Sequence, residues 1–344
     1  MSSAGLDRLL AALIVGLGAT GALSLVSGDP ADAWVFVAHD LLAAALLAGV
    51  VVKLARSVPR AVRARRWSRL AVAALVTTAS VASLVGGFLW VLGASIIWVD
   101  LGVIRWSLLT VHAVAGLALL PLVLVHLLPR RWRILRPRTR RTLSDPGPAV
   151  TARISRRALL VGGAYGAVSV LLVGAAATVD TLRGGARRFT GSRWLPAGPP
   201  GVPTTFLGEP TPSVDLAAWR LRVSGRVARD VAVDLDGLAR LATRDVTAVL
   251  DCTSGWAVEA TWTGVPLADV LALAGAAQDA ARVDIVSVTG WRASLARDDA
   301  ERCLLAWAEG RQPISAAHGA PLRLVAPDRR GLDWVKWIHR IEVA

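Results

Sequence analysis

Residues 250–271 read LDCTSGWAVEATWTGVPLADVL. An apolar run, TAVL, breaks at Asp251 and Cys252 into a Ser/Gly turn. A second run alternates in the manner of a strand, and PLADVLALAGA (266–276) then takes up helical spacing. A thiol therefore stands where a strand breaks into a turn. The 344 residues include only two cysteines, so this placement asks for a chemical reason. The other, Cys303, lies in ERCLLAWA, which reads as helical and suits a buried small apolar residue. Outside the cytosol the two could form a disulfide, whereas a metal role requires Cys252 to stay free.

Outward from this stretch, Gly and Pro punctuate further short runs: WRLRVSG (219–225), VTAVLDC (246–252), VDIVSVTG (283–290) and PLRLVAP (321–327). These are strand-like, and DLDGLARLA (234–242) is a second helical piece. The expected unit is an α+β, mainly β, domain. A Pro-rich segment, LPAGPPGVPTTFLGEPTP (195–212), precedes it.

The first half has a different texture. Over the whole chain the mean hydropathy is +0.52 and 54% of residues are hydrophobic, too apolar for an ordinary soluble protein. Stretches near 8–27, 33–52, 70–92, 106–128 and 158–179 each have the roughly 20 residues needed to span a bilayer. The net charge of +14 is concentrated between them. Lys53 to Arg69 holds seven basic residues and no acid, and Arg130 to Arg157 holds ten arginines against Asp145 alone. That is the pattern of cytoplasmic loops, and it argues against nucleic-acid binding. It places the N-terminus inside and everything after about residue 180 outside, on the extracytoplasmic face of the inner membrane.

Three of the five histidines fall in these spans, where ionisable residues are rare and functional by default. His39 and His112 stand at similar depth near the outer ends of the second and fourth spans. Two imidazoles on facing helices are what bis-histidine ligation of a haem iron requires. His126 follows His112 by 14 residues, nearly four turns, which returns it to the same helical face about 21 Å lower. The position 14 residues after His39 is Lys53, so one haem b is expected and the interfacial reading is favoured for His126. Gly16, Gly18, Gly21, Gly86 and Gly87 would admit a flat macrocycle or serve as packing contacts. The alternative for these histidines is hydrogen bonding between helices or a place at the interface. Topology and spacing resemble the four-helix membrane cytochrome b families.

ISRRALLVGGAYGAVSVLLVGAA (154–176) resembles a twin-arginine export signal, with Ser155, Arg156 and Arg157 before an apolar segment. The same arginines also fit the positive-inside pattern.

The stretch 250–271 is similar to the molybdopterin-binding core of the sulfite oxidase family. WRASLARDDAERCLLAWAEGRQPISAAHGAPLRLVAP (291–327) and DWVKWIHRIEV (333–343) resemble that family's closing segments. The resemblance runs from Trp219 to the end. It implies that Cys252 is the molybdenum ligand and the catalytic centre. It implies also that His318, Arg323 and Lys336 hold the cofactor, Arg323 and Lys336 facing its phosphate, with Ser287 at a hydroxyl position of the pocket. Without the resemblance, Arg323 would read as a solvated strand residue and His318 as a turn cap. The arginine motif by which sulfite oxidases receive sulfite is absent from VPTTFLGEP (202–210), and the only tyrosine is Tyr165. Sulfite is thus a poor substrate candidate. Bacterial relatives include periplasmic methionine sulfoxide reductases paired with a separate haem subunit.

The expected organisation is a four-helix membrane domain (1–130), a basic cytoplasmic loop (131–157) and a fifth tethering helix (158–179). A linker with the start of the outer domain (180–214) and the molybdopterin core (215–344) follow. The expected protein is a molybdopterin-dependent oxidoreductase that acts on a small extracytoplasmic S- or N-oxide and exchanges electrons with a quinone pool or another membrane carrier. Two rivals stay open: a membrane-tethered binding domain without turnover, and a membrane cytochrome with a docking domain.

Overall fold

A computed structural model describes residues 3–63, 67–93, 95–100, 102, 105–127, 156–182, 184, 187–195 and 210–344. The chain forms two compact units. The first comprises Met1–Leu23, Trp34–Ile97 and Leu108–Gly185; the second comprises Ser24–Ala33, Trp98–Ser107 and Ala186–Ala344.

The first unit is helical: α1 (Ser3–Ser24), α2 (Ala33–Arg63), α3 (Trp67–Leu92), α4 (Leu108–Leu127) and α5 (Arg156–Leu182). Among the described residues, Gly5–Ser24, Pro30–Pro59, Ala74–Leu92 and Leu160–Leu182 are long and apolar enough to cross a membrane, and Leu108–Val123 is a shorter apolar helix. Leu6, Leu10 and Leu13 of α1 bury against Leu46 of α2. Much of the remaining apolar surface, including Val51, Leu75, Leu117, Leu160 and Leu171, is exposed. Apolar surface left outward on long helices suits a hydrocarbon surrounding. Arg156 opens α5, while Ser155 and nearly all of the basic stretch before it lie outside the described residues.

The second unit contains a hairpin of β1 (Trp98–Asp100) and β2 (Arg105–Ser107), and two mixed sheets. One sheet holds β3 (Arg193–Trp194), β6 (Arg244–Cys252), β7 (Trp256–Pro266), β10 (Leu304–Glu309), β11 (Gln312–Pro313) and β12 (Arg323–Val325). The other runs β5 (Val231–Val233), β4 (Leu221–Gly225), β13 (Ile338–Val343), β8 (Arg282–Ser287), β9 (Arg292–Ala296). Short helices α6 (Leu235–Ala239), α7 (Leu267–Ala274) and α8 (Arg297–Glu301) connect them. Within the sheets β3 runs parallel to β7 and β13 parallel to β4, while the other pairings are antiparallel. Leu221, Val223, Trp262, Leu267, Leu271, Ile285, Leu305 and Leu324 are buried in the core. The alternation in β9, buried at Ala293 and Leu295 between exposed neighbours, is that of a half-covered strand.

One local expectation changes. The run LLAWA after Cys303 is strand β10, not helix; α8 ends at Glu301 and the apolar residues pair with Val265 and Leu324 across the sheet. Leu304, Leu305 and Ala306 are all buried, so both faces of the strand are covered and the run is apolar without alternation. Cys303 remains buried, with its Sγ directed at the Asp299 carbonyl.

Candidate active site

The β6–β7 hairpin pairs residue by residue from Arg244↔Gly264 to Cys252↔Trp256, which puts Cys252 at its tip. The turn closes with the Gly255 amide donating to the Cys252 carbonyl at 2.9 Å, and Gly255 takes φ 95°, which glycine adopts without a Cβ clash. Ser254 Oγ lies 3.0 Å from Cys252 Sγ. On the other side, Gly331 donates its amide to the Asp251 carbonyl at 2.7 Å. A Cβ on Gly331 would fall 3.2 Å from Cys252 Cα, so the approach of this loop depends on glycine.

Asp251, 0% exposed, is the electrostatic anchor of the tip. Its carboxylate accepts from Thr190 at 2.8 Å, Ser192 at 2.6 Å and Arg188 at 3.1 Å, and pairs with Arg330 at 3.3 Å. Arg330 Nη2 also donates to the Cys252 carbonyl at 3.4 Å. Burial pushes the Cys252 thiol up, while the Ser254 hydroxyl and amide and the Arg330 cation pull it back. Two free thiols, Cys252 and Cys303, are present.

A second cluster gathers three of the expected cofactor residues. Arg323, 4% exposed, lies over the rings of Trp262 and Trp334 at 5.0 and 5.8 Å, and its Nη1 donates to the His318 carbonyl at 2.9 Å. Burial pulls the Arg323 pKa down to about 10, opposed by the charges of Glu309 and Cys252. His318 Nδ1 meets buried Glu309 at 3.3 Å. Lys336 packs against Gly319, beside His318, and its Nζ stands 4.2 Å over the Trp337 ring. Trp337 holds φ 53°, fixed by bonds to the Gly319 and Ala316 carbonyls. Ser287 ends β8, 1% exposed, its Oγ 3.0 Å from Thr289 Oγ1; the next residue donates its amide to the Trp337 carbonyl.

The fit to a phosphate-bearing cofactor rests on Arg323. Its buried Nε has no hydrogen-bond partner among the described residues. A buried guanidinium N–H left without an acceptor suits an anionic ligand. Asp251, Ser254, Glu309, Arg188 and Arg330 belong to no sequence motif that marks them as site residues. The one local signal was an acid inside an apolar strand at Asp251, and the partners that satisfy it come from distant segments.

Residues 208–344 match the family model "Oxidoreductase molybdopterin binding domain". The chain carries a molybdopterin-binding oxidoreductase domain. It is 29% identical over 143 residues to an uncharacterized oxidoreductase, YuiH, of Bacillus subtilis, covering 41% of this chain and 72% of that one. It is 28% identical over 159 residues to the protein-methionine-sulfoxide reductase catalytic subunit MsrP of Xanthomonas axonopodis, covering 41% and 49%. It is 32% identical over 132 residues to the putative protein-methionine-sulfoxide reductase subunit YedZ1 of Azospira oryzae, covering 38% and 50%. The chain thus spans about half the length of the latter two.

The helical unit holds the histidine pair. The His39 and His112 rings lie 6.1 Å apart between centroids at 81°. His39 Nδ1 is 2.8 Å from Thr20 Oγ1, and His112 Nδ1 is 2.6 Å from the Ser83 carbonyl. With both Nδ1 atoms engaged, Nε2 is the nitrogen left for a metal. Gly21 and Gly87 border the pair: a Cβ would fall 3.6 Å from His39 Cε1 and 3.1 Å from His112 Cε1. Gly16 and Gly18 face Leu42 and Leu120 instead and are packing contacts. Lys53, where a second ligand on α2 would stand, is ion-paired with Asp7. His126 lies in α4, but its side chain is outside the described residues.

Proposed function

We propose that this chain is a membrane-bound molybdopterin oxidoreductase that removes an oxygen atom from a small extracytoplasmic S-oxide or N-oxide. In this reading the chain is a multi-pass protein of the inner membrane with residues 180–344 outside. The observation that carries the proposal is Cys252 at the hairpin tip, together with Arg323 buried, its Nε unpartnered among the described residues, and within electrostatic reach of the thiol.

When bound, molybdopterin supplies a two-electron centre able to exchange an oxygen atom. The Cys252 thiolate would anchor the metal, and Arg330 beside it would stabilise the ionised sulfur. Arg323, Lys336 and His318 would hold the phosphate and pterin, with Ser287 offering a hydroxyl. Glu309 orients His318, and the Trp262 and Trp334 rings fix the Arg323 guanidinium. Reduction of an S-oxide to a thioether consumes two electrons and two protons and releases water. The names of two relatives, both methionine-sulfoxide reductase subunits, support the S-oxide direction.

The electrons would come from a membrane quinol through one haem b held between His39 and His112, with Thr20 and the Ser83 carbonyl fixing ring orientation. The engagement of Lys53 by Asp7 supports one haem rather than two.

Metal analysis of the purified full chain, with a reduced-minus-oxidised spectrum, tests both cofactors. Molybdenum together with a b-type spectrum, and quinol-driven reduction of methionine sulfoxide, is the expected result. Absence of both leaves a tethered binding domain, and haem without molybdenum leaves a cytochrome with a docking domain.

A further inference from the structure

Residues 24–33 and 98–107 lie between apolar helices in sequence, yet they belong to the same compact unit as the molybdopterin domain. Ser107, 1% exposed, closes β2, and its Oγ donates to the Ser254 carbonyl at 2.6 Å. Ser254 Oγ is in turn 3.0 Å from Cys252 Sγ. The opposite arm of the site is the loop carrying Arg330 and Gly331, which bond to the Cys252 and Asp251 carbonyls. Gly28 packs against that loop so closely that a Cβ would fall 2.7 Å from both the Asp328 oxygen and the Arg329 carbonyl carbon. Two segments far away in sequence therefore brace both backbone arms around one thiol.

The Ser254 carbonyl belongs to the peptide that joins Ser254 to Gly255, the residue whose amide closes the turn on the Cys252 carbonyl, and the Ser107 hydroxyl holds that peptide from outside the turn. Losing this donor would deprive a buried carbonyl of its hydrogen bond, which is disfavoured. It would also let the peptide tilt and move the Ser254 side chain relative to Sγ.

We infer that Ser107 is a positioning residue for Cys252, so that the ligand environment of the molybdopterin domain is completed by a segment from between the apolar helices. Hydrogen bonds around a metal ligand set its orientation and donor strength, so a residue that fixes Ser254 acts on the metal without touching it. The inference rests on Cys252 being the molybdenum ligand.

The test compares full-length, cofactor-loaded wild type with Ser107→Ala and Ser107→Thr by hydrogen–deuterium exchange and by paramagnetic resonance of the molybdenum. Ser107→Ala should speed exchange at the Gly255 amide about tenfold. It should also change the molybdenum resonance, with metal content kept within about twofold of wild type. Ser107→Thr, which keeps the hydroxyl, should restore both. Wild-type exchange and an unchanged resonance in Ser107→Ala would overturn the inference. Ser107→Cys, of similar volume and weaker donor strength, carries the same expectations should the alanine variant fail to accumulate. Wild-type protein without molybdenum would instead remove the metal-ligand reading itself, and is seen separately from the exchange result.

Discussion

His39 and His112 stand edge to face, 6.1 Å between ring centroids, with each Nδ1 already engaged by a neighbouring helix. In the proposed reading the two remaining Nε2 atoms would share one haem iron, which needs both rings. His39→Ala and His112→Ala should each abolish the b-type spectrum. Activity with an artificial electron donor should persist. Difference spectroscopy beside a dye-linked assay checks this, and an intact spectrum in either variant counts against the haem.

Cys252→Ala should reduce turnover by at least a hundredfold, because a lost ligand costs at least what a lost ligand-supporting contact does. Haem absorbance should be unaffected. Steady-state kinetics and metal content are the measurements.

Arg323→Gln removes the buried cation whose Nε faces no described acceptor. Charge-assisted phosphate bonds are about twice as strong as neutral ones, so molybdopterin content should fall about tenfold or more. Fluorimetric assay of the released pterin reads this directly. Pterin at the wild-type level would place the phosphate elsewhere.

Asp251→Asn leaves Arg188 and Arg330 without their shared buried carboxylate. Removing one partner of a buried ion pair costs about 3–5 kcal/mol. Thermal unfolding should show a correspondingly lower midpoint, accompanied by loss of molybdenum as the hairpin tip loosens.

Burial pushes the Cys303 thiol up to about 12 from an ordinary value of 9.0. The folded state keeps the proton where the unfolded state has lost it. This contribution to stability is therefore fully present below pH 9 and lost as pH rises toward 12. Cys303→Ala should flatten the alkaline loss of stability. In the native protein, iodoacetamide at pH 8 should leave Cys303 unmodified until unfolding, as peptide mass mapping would show.

The strand ending in Cys252 and the helix at 267–274 were legible locally, from alternation and helical spacing that survive folding. His318, Arg323 and Lys336 were singled out only through the family resemblance, because a histidine near a turn or an arginine in a strand carries no local signal of its own. The apolar helices were legible because a lipid-crossing segment must satisfy its backbone within itself, which leaves a contiguous signature. The run after Cys303 misled because short apolar runs have no periodicity that separates helix from strand; pairing with β7 and β12 decided it.

Sequence by itself determined the contrast between an apolar helical part and a strand-rich part, the thiol at a strand end and the placing of His39 and His112 within apolar runs, each a property of contiguous residues. Only tertiary structure decided which groups surround them. Asp251 needed Arg188, Thr190, Ser192 and Arg330 from both sides of the chain, and Ser254 needed Ser107 from 147 positions away. The reason is physical: a buried charge or carbonyl specifies only that a partner must exist, and many side chains can supply one. Which one does so is fixed by the path of the chain through space.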